Sequence, residues 1–274
     1  MTSLGILLLS AHLLAMNLAS GGPLAALFLR SATPSVDRAG RQLAWKSAAA
    51  LLAGCLLGGA VLLPRGSGAT QALGRFPAQA YWFAGAEILF SLACILALPA
   101  LWNVQRGRRW PTMLLFLLAL ASTTNLLYHF PPLMSVFGHL VADPAWTSLE
   151  VIERRDLLPL MARPAIVALS VHFALASLTV GCLAATATLR RSDAVETEQS
   201  EWRRNVRWLL YVAIGLTIAQ FGVGLWLVAA SESSTRDALL GGDWLPTLLF
   251  AGGILAALKL AERLVVAASL SAAR

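Results

Sequence analysis

Residues 156–190 read DLLPLMARPAIVALSVHFALASLTVGCLAATATLR, and from Pro164 to Leu189 no side chain carries a charge. A bilayer crossing needs only ~20 apolar residues, so this stretch predicts a transmembrane helix. It also carries His172. An imidazole inside hydrocarbon must find a hydrogen-bond partner or a metal, because an unpaired polar group has no water to turn to. Ionisable residues at membrane depth are therefore candidates for function before they are candidates for packing.

The rest of the chain has the same character. Of its 274 residues 58% are hydrophobic and 13% charged, and the mean hydropathy is +0.70. No soluble domain of this size needs so much apolar surface, so a single integral membrane domain over residues 1–274 is expected. The net charge of +7 sits in short loops between apolar runs, where it sets orientation, and implies no nucleic-acid partner. Cys55, Cys94 and Cys182 each fall inside an apolar run, as buried thiols do. No CxxCH is present, which excludes covalent c-type haem attachment. The first run lacks a basic leader and continues to Leu29, so it is expected to be a retained helix.

The fold class expected is an all-α integral membrane bundle of about seven spans, near 4–29, 44–63, 78–101, 110–133, 158–189, 208–230 and 244–258. Pro131-Pro132 is expected to end the fourth, the Gly- and Pro-containing segment 64–77 to form a turn, and 134–155 to hold a short surface helix. Lysines and arginines number fifteen in the loops after spans 1, 3 and 5 and at the C-terminal end, against five in the loops after spans 2, 4 and 6. By the positive-inside rule the N-terminus lies outside and the C-terminus in the cytoplasm. The expected location is a bacterial inner membrane.

On this topology all four histidines fall in or near the outer half. His12 lies about nine residues below the start of span 1. His172 lies nine residues below Arg163, so at 1.5 Å per residue both sit roughly 13 Å deep. His129 is near the outer end of span 4, four residues after Asn125 on the same face, and His139 follows in the outer segment. Glu87 is a carboxylate deep in span 3, costly there unless protonated or paired. Each of these residues also has a plain structural reading, a hydrogen-bonded contact between helices. Met16 and Met161 suit core filling better than ligation. Two histidines at matched depth on different helices fit haem b, with iron ligated by imidazole and Arg163 pairing a propionate. Zinc or copper is disfavoured because no thiol or acid stands at ligand spacing beside them. No nucleophile elbow, phosphate loop or paired carboxylates support hydrolysis.

Four stretches carry a resemblance: AHLLAMNLASGGPLAALFL, LAWKSAAALLAGCLLGGA, AGAEILFSLACIL and LLPLMARPAIVALSVHFALASLTVGC. Over about residues 5–230 their order resembles the N-terminal part of subunit I of the cytochrome bd quinol oxidases. The resemblance implies one or two haems b held by His12 and His172, with Glu87 in the place of that family's acidic residue near the haems. The family's long quinol-binding loop is here about a dozen residues, and its later helices, with their methionine and acidic ligands, have no counterpart. His129 or His139 would then complete the coordination.

The function expected is a haem b electron-transfer subunit of a respiratory complex. It would link a quinone or a membrane haem to a haem protein on the outer face, such as a c-type cytochrome. Glu87 would compensate charge or relay a proton. The alternatives are a bd-like oxidase subunit completed by a partner chain, and a cofactor-free proton-coupled transporter or assembly factor.

Overall fold

The computed structural model describes residues 3–62, 66–104, 109–191 and 199–273. Among them every regular element is helical: α1 Ser3–Phe28, α2 Pro34–Leu62, α3 Gly66–Gly74, α4 Ala78–Leu101, α5 Arg109–Ala142, α6 Arg154–Met161, α7 Pro164–Arg190, α8 Gln199–Ala230, α9 Ser233–Asp237 and α10 Trp244–Ala273. Seven of them, α1, α2, α4, α5, α7, α8 and α10, are long and apolar enough to cross a bilayer. The chain is a multi-pass α-helical membrane protein. An odd number of crossings puts the start of α1 and the end of α10 on opposite sides, called here the N-side and the C-side.

The middle of the bundle is α1, which packs against α2, α7 and α5. Small residues make this possible. A Cβ on Gly21 would run into the Ser177 carbonyl, and one on Gly22 would run into the Ser47 hydroxyl. From the other side, a Cβ on Gly181 would come within 2.5 Å of the Gly21 oxygen. Adjacent glycines thus let α1 touch the bare backbone of α7 on one flank and seat Ser47 of α2 on the other, as expected where apolar burial does not drive helix association. Ser177 donates to Asn17 Oδ1 at 2.8 Å, and Thr123 of α5 donates to the Ser20 carbonyl at 2.8 Å. α1 and α7 therefore run parallel, with Asn17 level with Ser177 and Gly21 level with Gly181.

The C-side is tied by polar contacts. Ser31 and Thr33, between α1 and α2, both donate to the Glu201 carboxylate at the start of α8, and Trp202 donates to the Leu189 carbonyl at 2.9 Å. At the N-side Trp146 is the hub. The His139 ring stacks on it at 4.7 Å, the Arg163 guanidinium lies 3.9 Å from its ring centroid, and its Nε1 donates to Glu232 at 3.2 Å.

Several boundaries differ from the sequence expectation. α5 does not end at Pro131-Pro132 but continues to Ala142. The prolines remove two N–H donors, yet the turns beyond them bury Val136 and Leu140 against Ile152, Leu160 and Ile166, and that packing outweighs the lost bonds. The expected fifth span is divided. α6 stands apart with a Glu153–Asp156 capping box, and α7 opens at Pro164, a proline at the first helical position. Part of the expected turn at 64–77 is helix α3, whose Ala72 packs into the same N-side cluster. In place of a surface helix, 134–155 holds the end of α5, a 3-10 turn over Pro144–Trp146 and the first residues of α6. α2 and α8 begin earlier, and α10 ends later, than their apolar runs, because Lys, Arg, Glu and Ala propagate a helix beyond the membrane boundary.

Replacing Gly21 with alanine is expected to lower the unfolding midpoint in detergent, with a destabilisation of about 1–3 kcal/mol, since rigid backbone stands in the way. Gly252→Ala, where nothing lies within 4 Å, is expected to stay within about 0.5 kcal/mol of the parent. Equal midpoints for the two variants would disprove the close α1–α7 approach.

Candidate functional site

The polar residues within the spans separate into two groups. One is built on α4 and α5 towards the N-side. Asn125 organises it: its Nδ2 donates to the Glu87 carbonyl at 3.0 Å and to Ser91 Oγ at 2.9 Å, and its Oδ1 faces His129 Nδ1 at 3.0 Å. The same nitrogen lies 3.5 Å from the Glu87 carboxylate. With Nδ1 as the donor to these oxygens, Nε2 is the ring nitrogen left for a ligand or a proton. Pro131 and Pro132 follow directly. Lacking N–H groups, they leave the Leu127 and Tyr128 carbonyls without their helical donors one turn back, beside the same cluster.

Glu87 and His129 line a cavity of about 880 Å³ between α3, α4, α5 and α6. Its walls include Phe76, Tyr81, Phe83, Tyr128, Phe130 and Phe137. The Tyr128 and Phe83 rings meet His129 edge-on at 5.0 and 6.1 Å. At the rim Arg154 covers Phe83 at 5.3 Å, and Arg155 pairs with Glu153 at 3.1 Å. The volume is that of a small-molecule pocket, mostly apolar with a few polar groups at one end. Because the rim charges largely offset one another, the pocket favours a neutral occupant.

The second group holds His12 and His172. The Asn17–Ser177 and Gly21–Gly181 pairs place the two histidines at the same level, each five residues nearer the N-side than the hydrogen-bonded pair. Their rings turn to different neighbours. His12 Nδ1 bonds the Gly54 carbonyl of α2 at 2.8 Å, and the ring rests on Gly58, where a Cβ would come within 2.9 Å of Cε1. Met16 packs on Gly54 in the same way. His172 is set against the Gln220 backbone of α8, and its buried Nδ1 has no partner.

The two imidazoles thus face different helices, α2 and α8. The hydrogen bond from Nδ1 to a backbone carbonyl is the usual orientation of a ligating histidine, and it leaves His12 Nε2 available. The buried Nδ1 of His172 likewise has no partner among the described residues. His139 and Arg163, expected beside a haem, meet at Trp146 instead, where Arg163 is exposed at the mouth of α7. Among the described residues no group of three or more His, Cys, Asp or Glu side chains is placed to hold a metal ion.

Sequence reasoning placed Asn125 and His129 on one face, but it missed Ser91, the aromatic cavity and the glycine seats of His12 and Met16. The signal for the last was available in GCLLG at 54–58, a small-xxx-small pattern. Comparison with family models, with curated proteins and with solved structures finds no match to the chain.

Asn125→Leu is expected to destabilise the protein by about 1–3 kcal/mol, because it removes the donor to Ser91 and to the Glu87 carbonyl and an acceptor of His129 at membrane depth. Detergent unfolding at fixed lipid content measures it. A change below about 0.5 kcal/mol would show that Asn125 does not organise the cluster.

Proposed function

We propose that the chain is a haem-b-containing electron-transfer subunit of a membrane redox complex. It takes electrons from a lipid-soluble hydroquinone in the N-side cavity and passes them to a haem protein, such as a c-type cytochrome, outside a bacterial cytoplasmic membrane. The observation that carries this reading is the carboxylate–imidazole pair, Glu87 and His129, at the polar end of an aromatic-walled cavity. A hydroquinone releases protons with its electrons, so a site that oxidises it needs a proton acceptor within reach of the hydroxyl. His129 Nε2 accepts the proton, and Glu87 stabilises the imidazolium through Nδ1. Asn125 keeps the ring in that tautomer. The aromatic walls suit a flat ring.

His12 and His172 are the residues that would hold haem b, each through the nitrogen left unengaged. The group supplies one-electron transfer within the bilayer. Their common level between α1 and α7 supports a redox centre at one depth. The fifteen-to-five distribution of basic residues supports an outward N-side and therefore an outward cavity.

The purified protein is expected to show a b-type α-band in its reduced-minus-oxidised spectrum, weakened in His12→Ala and in His172→Ala. Glu87→Gln is expected to keep the band and to slow its reduction by a hydroquinone by about 10²-fold or more. Absence of the band in folded protein made under haem-replete conditions overturns the redox reading. A reporter active only in the cytoplasm, fused after Arg274, is expected to give signal.

One observation favours a second reading. The Leu127 and Tyr128 carbonyls, which lose their helical donors at Pro131 and Pro132 within the continuous α5, lie beside an ionisable pair, and backbone carbonyls without donors are groups that transporters use to bind ions. A cofactor-free proton-coupled transporter would lack the band and would lose proton flux in Glu87→Gln.

A further inference from the structure

The C-side contains a juxtaposition that neither the cavity nor the histidines explain. Lys46 does not lie in a loop. It stands well inside α2, just before the uncharged run that begins at Ser47, and its Nζ donates to Thr188 Oγ1 in the last turn of α7 at 2.9 Å. Arg191, at the C-cap of α7, donates its backbone N–H to the Thr188 carbonyl at 3.3 Å, so its side chain leaves the helix within one turn of the hydroxyl that Lys46 bonds. Two cations thus flank Thr188 where α2 and α7 touch. Among the described residues neither makes an ion pair. The Glu201 carboxylate is taken by Ser31, Thr33 and Arg204.

Like charges brought together at a membrane boundary oppose each other unless an anion lies between them. The surroundings identify its source. Trp45, beside Lys46, is half exposed at the level where indoles sit among headgroups, and Leu52, two turns deeper, exposes its side chain where acyl chains run. Arg38, Arg41 and Arg190 are exposed near the same helix ends. Basic clefts between helices at a cytoplasmic boundary attract anionic lipid headgroups.

We propose that the groove between α2 and α7 binds the headgroup phosphate of an anionic phospholipid, held between Lys46 and Arg191 with the Thr188 hydroxyl as a further polar contact. The remaining donors of Lys46 and the planar fork of Arg191 both suit phosphate oxygens. The lipid then joins α2 to α7 on the side where α1 does not intervene. This assignment is independent of the redox reading and requires no cofactor.

The test uses the full chain, delipidated in detergent and titrated with dioleoyl-phosphatidylglycerol or dioleoyl-phosphatidylcholine under native mass spectrometry. At least one phosphatidylglycerol is expected to bind with a preference of about 30-fold over phosphatidylcholine, the effect of two basic residues near an anionic surface. The double variant Lys46→Gln/Arg191→Gln is expected to lose most of that preference. The charge-retaining Lys46→Arg is expected to keep it, which separates lost charge from lost folding, and Lys259→Gln, on α10 and paired with Glu262, is expected to change nothing. Equal binding of the two lipids, or an unaltered preference in the double variant, overturns the proposal. Displacement of phosphatidylglycerol by millimolar inorganic phosphate would reveal a free-anion site and overturn the assignment to a lipid.

Discussion

The contact on which the rest of the structure depends is the passage of α1 between α7 and α2 at Gly21-Gly22. In a bilayer, burying leucine against leucine gains little over burying it in lipid, so helices associate where their backbones approach closely. Gly21 meets the Ser177 carbonyl and Gly22 meets Ser47, so consecutive residues use opposite flanks of one helix. Pro23 follows immediately and interrupts the ladder of α1 at the same level. The Asn17–Ser177 and Thr123–Ser20 bonds then fasten α7 and α5 around this point. The register of three neighbouring helices is set within about two turns of α1.

From that register follows the placement of the intramembrane histidines. Parallel α1 and α7, locked at Asn17–Ser177 and Gly21–Gly181, bring His12 and His172 to one level without bringing them together. The glycine seats at 54 and 58 turn His12 towards α2, while His172 is left to α8. A shared depth and separate faces are both consequences of the same helix crossing.

The spans were legible because their signal is simple: runs of apolar residues, punctuated by basic loops. So were the polar residues that interrupt them, since Glu87, Asn125, His129 and His172 stand out against alanine and leucine. What the sequence could not convey was direction. These helices are hydrophobic all round, so periodicity does not reveal which face meets a neighbour. Hence His12 was visible but its seat on Gly54 and Gly58 was not, and Glu87 was visible but Ser91 was not. Boundaries failed for a related reason: an apolar run measures the membrane, not the helix, so α8 begins at Gln199 and α10 reaches Ala273. Pro131-Pro132 misled because local backbone chemistry was weighed without the packing of Val136 and Leu140 beyond it. Arg163 and His139 met at Trp146 through the fold of a loop that carries little pattern of its own.

The two ends of the bundle differ in a way that bears on function. On the C-side the α1–α2 connection is clasped to α8 through Glu201, and α2 to α7 through Lys46, so the long helices are braced where their loops are short. On the N-side the chain spends residues on short helices, a 3-10 turn and a proline-containing α5, and these line an open cavity. Proteins draw binding and gating elements from regions of lower local stability and hold them on a rigid frame. Here the frame is the glycine-packed α1–α2–α7 crossing, and the wall added to it is the buried cluster that joins α3, α6 and the end of α5. Glu87 and His129 therefore stand on a floor set by α4 and α5, beneath a wall of α3, α6 and the end of α5, at the same end as the two remaining intramembrane imidazoles.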